Sequence, residues 1–218
     1  MNKDFRSRII SLENKISKYY ENKKEENRSL IQDGIVNIEE YENSKIKILW
    51  ILKEPRDGEN STGGGWSLVE NLNNERSKGK KRDSPQTFLP IIYTSYAIQN
   101  GVKNFKDLDK RKTYTEYCKS LNKIAYINIQ KLPAKSTSKN KEIELAYELD
   151  KEIILSQIIE INPDLILCTA GGNIFRKIIK DLPQDFVTNK KIQDRYHPSQ
   201  RLITKERYIN EIIEDYYS

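Results

Sequence analysis

Three short apolar runs stop abruptly at a proline or a pair of glycines, and residues with helical spacing lie between them. "IKILWILKEP" ends at Pro55, "IAYINIQKLP" at Pro133, and "LILCTAGG" at Gly171 and Gly172. An unbroken apolar run of this length marks a strand buried on both faces, and proline cannot continue a central ladder. "KKIQDRYHP" reads as a fourth strand that leads into a His-Pro turn. Helical spacing is found over 67–75, 86–100, 107–122, 141–161, 173–181 and 204–217. This alternation predicts an α/β fold: a three-layer α/β/α sandwich around a central, mainly parallel four-stranded sheet. Near the N-terminus Ile9, Ile10, Leu12, Ile16 and Tyr20 recur at three and four residues, which predicts a helix over 4–31. The expected organisation is one domain over 1–218, with a helical extension (1–45) and an α/β core (46–218).

In open α/β sheets ligands sit at the carboxyl ends of the strands. Here those ends are Glu54-Pro55, the segment from Asn128 to Pro133, Thr169 to Gly172, and His197-Pro198. A parallel sheet would bring all four to one crevice.

Composition excludes several kinds of chemistry. Cys118 and Cys168 form no CxxC pair, so a cysteine-only zinc or iron–sulfur site and a disulfide framework are out. His197 is the only histidine, which excludes a multi-histidine metal centre. An all-carboxylate magnesium site stays open, but no cofactor is expected. No apolar run reaches the roughly 18 residues of a membrane span. "MNKDFRSRIISLENK" lacks the apolar core of a signal peptide, so a cytoplasmic monomer is expected. A net charge of +6 permits nucleic-acid binding without requiring it, because the lysines are interleaved with glutamates.

Each candidate side chain has a plain reading beside the functional one. Glu54 is either a solvated loop carboxylate or a carboxylate at the mouth of the crevice, held by Pro55, that orients water or stabilises positive charge. Asp57 and Glu59 compete for that role. His197 is either a turn histidine or a neutral imidazole that donates to an oxygen gaining charge. Asn128 lies inside an apolar strand, where its amide either bonds backbone or reads the edge of a flat heterocycle. Trp66 follows three glycines in "STGGGW" and is either a lid on the core or a stacking face. "RSKGKKRDSP" reads as a solvated loop or as a phosphate-holding one, through Lys78, Lys80, Lys81 and Arg82.

In this order, the elements resemble the uracil-DNA glycosylase superfamily over about residues 46–215. "ILKEPRD" is similar to its first motif, "AYINIQKLP" to the strand carrying a base-reading asparagine, "INPDLILCTAGGNIFRKI" to its penultimate strand, and "HPSQR" to its last motif. The resemblance implies catalytic roles for Glu54 and His197. It also implies substrate contacts from Pro55, Trp66, Asn128 and Ser199. The chain departs from the pattern where Leu52 and Lys53 replace a glycine, Glu54 replaces an aspartate, and Arg56 and Asp57 follow the proline. The expected function is a DNA-base glycosylase acting on flipped uracil or another modified base. Lys80, Lys81, Arg82 and Arg201 would hold phosphates of single- or double-stranded DNA. Two alternatives stand beside it. One is a glycosylase-fold module that binds nucleic acid or protein without catalysis, and the other is a nucleoside or nucleotide N-glycosidase.

Overall fold

The three apolar runs are the three central strands of one sheet. In the computed structural model, which describes residues 3–23, 27–57, 62–81, 84–134 and 139–218, the strands are β1 (Gly34–Ile35), β2 (Ile48–Leu52), β3 (Ile124–Asn128), β4 (Leu165–Cys168) and β5 (Lys191–Asp194). They lie in the order β1-β3-β2-β4-β5. The last four are mutually parallel, and β1 pairs antiparallel with β3. The helices are α1 (Lys3–Lys23), α2 (Ile38–Glu42), α3 (Leu68–Asn71), α4 (Pro85–Gln99), α5 (Tyr114–Cys118), α6 (Asn140–Ile161), α7 (Gly172–Asp181), α8 (Gln184–Thr188) and α9 (Lys205–Tyr217).

Side chains alternate across a strand, so a run that is apolar throughout must be covered twice. Ile48, Trp50, Leu52, Ile124, Tyr126, Leu165 and Leu167 pack with α3, α4, α5 and α9. Leu49, Ile51, Ala125, Ile127, Ile166 and Cys168 pack with α1, α6 and α7. The result is the three-layer α/β/α sandwich. Among the described residues, no helix is long and apolar enough to cross a membrane.

The N-terminal region differs from the expected extension in two respects. The described helix covers Lys3–Lys23, and residues 27–35 do not continue it. They run instead across the carboxyl ends of the strands and supply β1, a fifth, two-residue strand that no periodicity could reveal. The segment 107–122 also holds less helix than its spacing suggests. It contains α5, whose Thr113–Glu116 capping box starts it late, and a tight 3₁₀ turn over Lys119–Lys123.

Three contacts to one acidic residue dock α1. The hydroxyls of Tyr19 and Tyr20 donate to the buried carboxylate of Asp150 at 2.9 and 2.6 Å, and Lys23 Nζ lies 3.0 Å from it. Asp150 sits at a kink in α6. Glu13 has a less favourable position. Burial, and secondarily the negative charge of Asp33, raise its carboxyl from 4.5 to about 7. The folded chain therefore holds a proton there that the unfolded chain releases. The stability is complete below about pH 4.5 and is lost as pH rises through about 7. Glu13→Gln is expected to stabilise the protein by about 1–2 kcal/mol at pH 8, and by little at pH 5. Urea denaturation at the two pH values checks this, and an equal gain at both would contradict it.

Candidate active site

The polar end of β2 is held as firmly as the strand itself. Past Leu52 the chain keeps sheet-like partners: Ile129 N–H donates to Leu52 O (3.0 Å), Gln130 N–H to Lys53 O (2.8 Å) and Ala134 N–H to Pro55 O (3.2 Å). Thr169 donates its N–H and its hydroxyl to Ile51 O at 2.8 and 2.9 Å. Glu54-Pro55 thus leaves the sheet along a fixed path. A cavity of about 1240 Å³ opens there, lined by Glu54, Pro55, Trp66, Tyr126, His197 and Ser199, among others. Strands β2, β3 and the segment after β5 all contribute, whereas the turn from Thr169 to Gly172 lies outside the lining.

His197 is locked by its own turn. Ser199 N–H points at Nδ1 (3.2 Å), and Ser199 Oγ lies 2.8 Å from the same nitrogen. A backbone N–H can only donate, so Nδ1 is the acceptor and the proton of the neutral ring sits on Nε2. Burial, then the charges of Lys53 and Arg56, hold the imidazole down at about 4. Those two cations flank Glu54-Pro55, so the end of β2 and the His-Pro turn face each other. Because the folded value lies below 6.5, the neutral ring predominates at pH 7, and its stability contribution is lost as pH falls from about 6.5 to about 4. The side chain of Gln200 fastens the rest of the turn, its Oε1 accepting from the N–H groups of Leu202 (2.6 Å) and Ile203 (3.0 Å).

The glycine run is a second arm of the cavity, and the N-terminal segment carries it. Gly63 O accepts from Ser29 N–H (2.8 Å), Gly65 N–H donates to Leu30 O (3.0 Å), and Trp66 O accepts from Gln32 N–H (3.1 Å). On the other flank Arg28 donates to Pro133 O (2.8 Å) and Ile31 N–H to Lys131 O (3.0 Å). Asp57 closes the arrangement: its Oδ2 accepts from Gly64 N–H (2.7 Å) and from Trp66 Nε1 (2.8 Å). Of the two described acidic candidates, Glu54 faces the cavity from a strand end, while Asp57 has its Oδ2 committed to fixing Trp66. Glu59 lies outside the described residues.

Asn128 shares a sheet face with Tyr126 and is paired in register with Leu52, both of which line the cavity. It is buried, and neither side-chain amide atom has a hydrogen-bond partner among the described residues. Arg201 and Lys81 stand in the lining. Lys80 is exposed outside it, 3.9 Å from Glu75, and Arg82 lies outside the described residues. The stretch that begins at Arg76, read from sequence as a loop, opens with a buried residue. A π-helical turn over Leu72–Arg76 brings the Arg76 guanidinium into the lining, 3.7 Å from the Phe88 ring centroid. Phe88 in turn stacks on Tyr126 at 6.3 Å. Leu202, 73 % exposed, is the next residue after the lining residue Arg201. Neither Arg76 nor Leu202 carried a sequence signal, since each sits in a charged or polar run.

No family model and no curated protein matches the chain. Among solved structures it is similar to the wild-type UNG, a uracil-DNA glycosylase, from Nitratifractor salsuginis, with 12% identity and a TM-score of 0.41 over 80% of this chain and 72% of that one. At that identity and score the likeness bears on neither activity nor substrate.

Proposed function

We propose that the chain is a DNA-base glycosidase that hydrolyses the N-glycosidic bond of an extruded nucleotide. The observation that carries this is the state of His197: a neutral imidazole, with its proton on Nε2, in the same cavity as a strand-end carboxylate. Breaking the bond between sugar C1′ and the base leaves positive charge on the sugar, while the electron pair departs with the base. Glu54 stabilises the sugar cation, orients the water that adds to C1′ and accepts the proton that water loses, which passes through solvent to the departed base anion. His197 Nε2–H donates to the base oxygen that gains negative charge. Trp66, fixed by Asp57, supplies a stacking face, and Pro55 and Ser199 shape the wall and the turn. The amide of Asn128 offers a donor and an acceptor to the base edge. Arg201 and Lys81 at the rim, with Lys80 and Arg82 nearby in sequence, hold phosphates, which gives affinity without sequence choice. Leu202 suits the wedge that fills a stack when a nucleotide leaves it.

The test is a panel of single- and double-stranded oligonucleotides, each carrying one modified base, assayed for abasic sites by alkaline cleavage. Release from at least one substrate, lost in the Glu54→Gln variant, is the expected result. DNA binding without release from any substrate would favour a binding module, and turnover of mononucleotides with no activity on DNA would favour the nucleotide N-glycosidase.

A further inference from the structure

Among the described residues, one fully buried ion pair has no part in that chemistry. Lys131 is 0 % exposed, and its Nζ lies 2.7 and 2.9 Å from the two carboxylate oxygens of Asp33. Gln157 Nε2 donates to the same carboxylate at 3.0 Å. A buried ion pair is a poor source of net stability, because the cost of desolvation offsets most of the attraction. Two aliphatic side chains would fill the space at least as well. Aliphatic residues could not, however, replace the other bonds this pair makes. Asp33 Oδ2 accepts from the backbone N–H of Asn128 (2.7 Å), and Lys131 Nζ donates to the backbone carbonyl of Asn128 (3.2 Å).

The position explains the need. Strand β1 pairs with β3 only as far as Gly34 and Tyr126, so Asn128 lies beyond the end of that edge strand. Asp33, the residue just before β1, extends the ladder with a side chain where the backbone has turned away. Both main-chain groups of Asn128 are thereby satisfied by charged partners, and neither has to be met by its own amide. Asparagine amides in irregular backbone commonly bond such groups themselves. Here the amide has no partner among the described residues; it is 1 % exposed and lies behind the lining, on the sheet face that Leu52 and Tyr126 carry into the cavity.

We propose that Asp33 and Lys131 are positioning residues that clamp the backbone of Asn128 and keep its side-chain amide available to read a base. The proposal rests on the glycosidase reading for the amide's purpose, but not for the clamp itself. The fold requirement is plain: Asp33 comes from the N-terminal segment and Lys131 from the loop after β3, so the amide is set only when the two have met.

The experiment compares wild type, Asn128→Ala, the aliphatic pair Asp33→Leu/Lys131→Met, and their combination. A polar, uncharged pair, Asp33→Asn/Lys131→Gln, keeps an acceptor and a donor at the two positions and serves as the rescue. Two readouts are taken. In the ligand-free protein, hydrogen exchange at the Asn128 backbone amide should speed up at least tenfold in the aliphatic pair, beyond any change in global stability, and return toward wild type in the polar pair. With a single-stranded oligonucleotide carrying one uracil, kcat/KM should fall about tenfold or more in both Asn128→Ala and the aliphatic pair, and no further in their combination. Unchanged exchange, or losses that multiply in the combination, would overturn the proposal. If wild type neither binds nor cleaves the uracil oligonucleotide, it is the glycosidase reading that loses support. The clamp is then judged on exchange alone, by the same criterion. Should the aliphatic pair not fold, Asp33→Ala/Lys131→Gln takes its place, since it removes the acceptor of the Asn128 N–H, the bond that exchange reads, and leaves no unpaired buried charge.

Discussion

Replacing His197 with alanine is expected to cut the single-turnover rate of base release by roughly a hundredfold or more, the usual loss when one preorganised donor to a developing oxyanion is removed. Affinity for the intact oligonucleotide should change little, because the bond strengthens only as charge moves onto the base. Glu54→Gln should cost as much or more, since it removes the negative charge that faces the sugar cation. The pH profile gives an independent check. Burial, and then Lys53 and Arg56, hold the imidazole near 4, so the ring that donates through Nε2–H is already neutral across the working range. The limb of the rate profile due to His197 should therefore lie well below pH 6. His197 is the sole histidine, so one NMR titration reads its value without assignment. An undiminished rate in His197→Ala would make the histidine structural. A midpoint near 6.5 would mean that it is not buried as described.

How much of this was legible in the chain depends on the range of the forces involved. The strands β2, β3 and β4 announced themselves because each is covered on both faces, and burial on both faces writes an unbroken apolar run. Their polar ends followed from the same runs, and with the fourth strand read from "KKIQDRYHP" they assigned Glu54 and His197 to one side of the sheet before any coordinates. The neutral state of His197 was also expected, but its cause was not. Lys53 and Arg56 act on it across a gap of more than 140 residues in the chain. The same limit hid the N-terminal segment. The spacing of Ile9 to Tyr20 carried the predicted helix on to residue 31, yet residues 27–31 are bonded to the glycine run and to Lys131, partners that are distant in sequence. Asp33 and Lys131 were invisible for that reason as well, each looking like an ordinary charge in a charged chain. Arg76 was hidden by its neighbours: "RSKGKKR" reads as solvent-facing, and only the π-helical turn reveals that its first residue points inward.

Gly64→Ala is expected to be the most damaging single-methyl change in the glycine run. Gly64 has φ +88°, where a Cβ is strained, and an ideal Cβ there would lie 2.0 Å from the carbonyl oxygen of Ser29. That neighbour is backbone, bonded in turn through Ser29 N–H to Gly63 O, so it cannot swing aside as a side-chain tip would. Gly65 provides the control. Its φ is +75°, but its Cβ would meet only Ser29 Cβ at 3.8 Å, an ordinary contact. Gly65→Ala should therefore carry the conformational cost alone, about 1–2 kcal/mol. Gly64→Ala should add the separation of two chain segments, for a total of at least about 3 kcal/mol. The damage should reach Trp66, because the same peptide that must move donates the Gly64 N–H to Asp57, whose Oδ2 also holds the Trp66 indole. Thermal denaturation gives the first quantity. Tryptophan fluorescence gives the second: Trp50 is fully buried in the sheet and supplies a constant background, so a red shift in the folded Gly64→Ala variant reports on Trp66. Equal losses of stability in the two variants would mean that the glycine run does not lie against Ser29. A stability loss with no change in emission would separate the loop's backbone from the placing of its tryptophan, and Asp57 alone would then be what sets the stacking face.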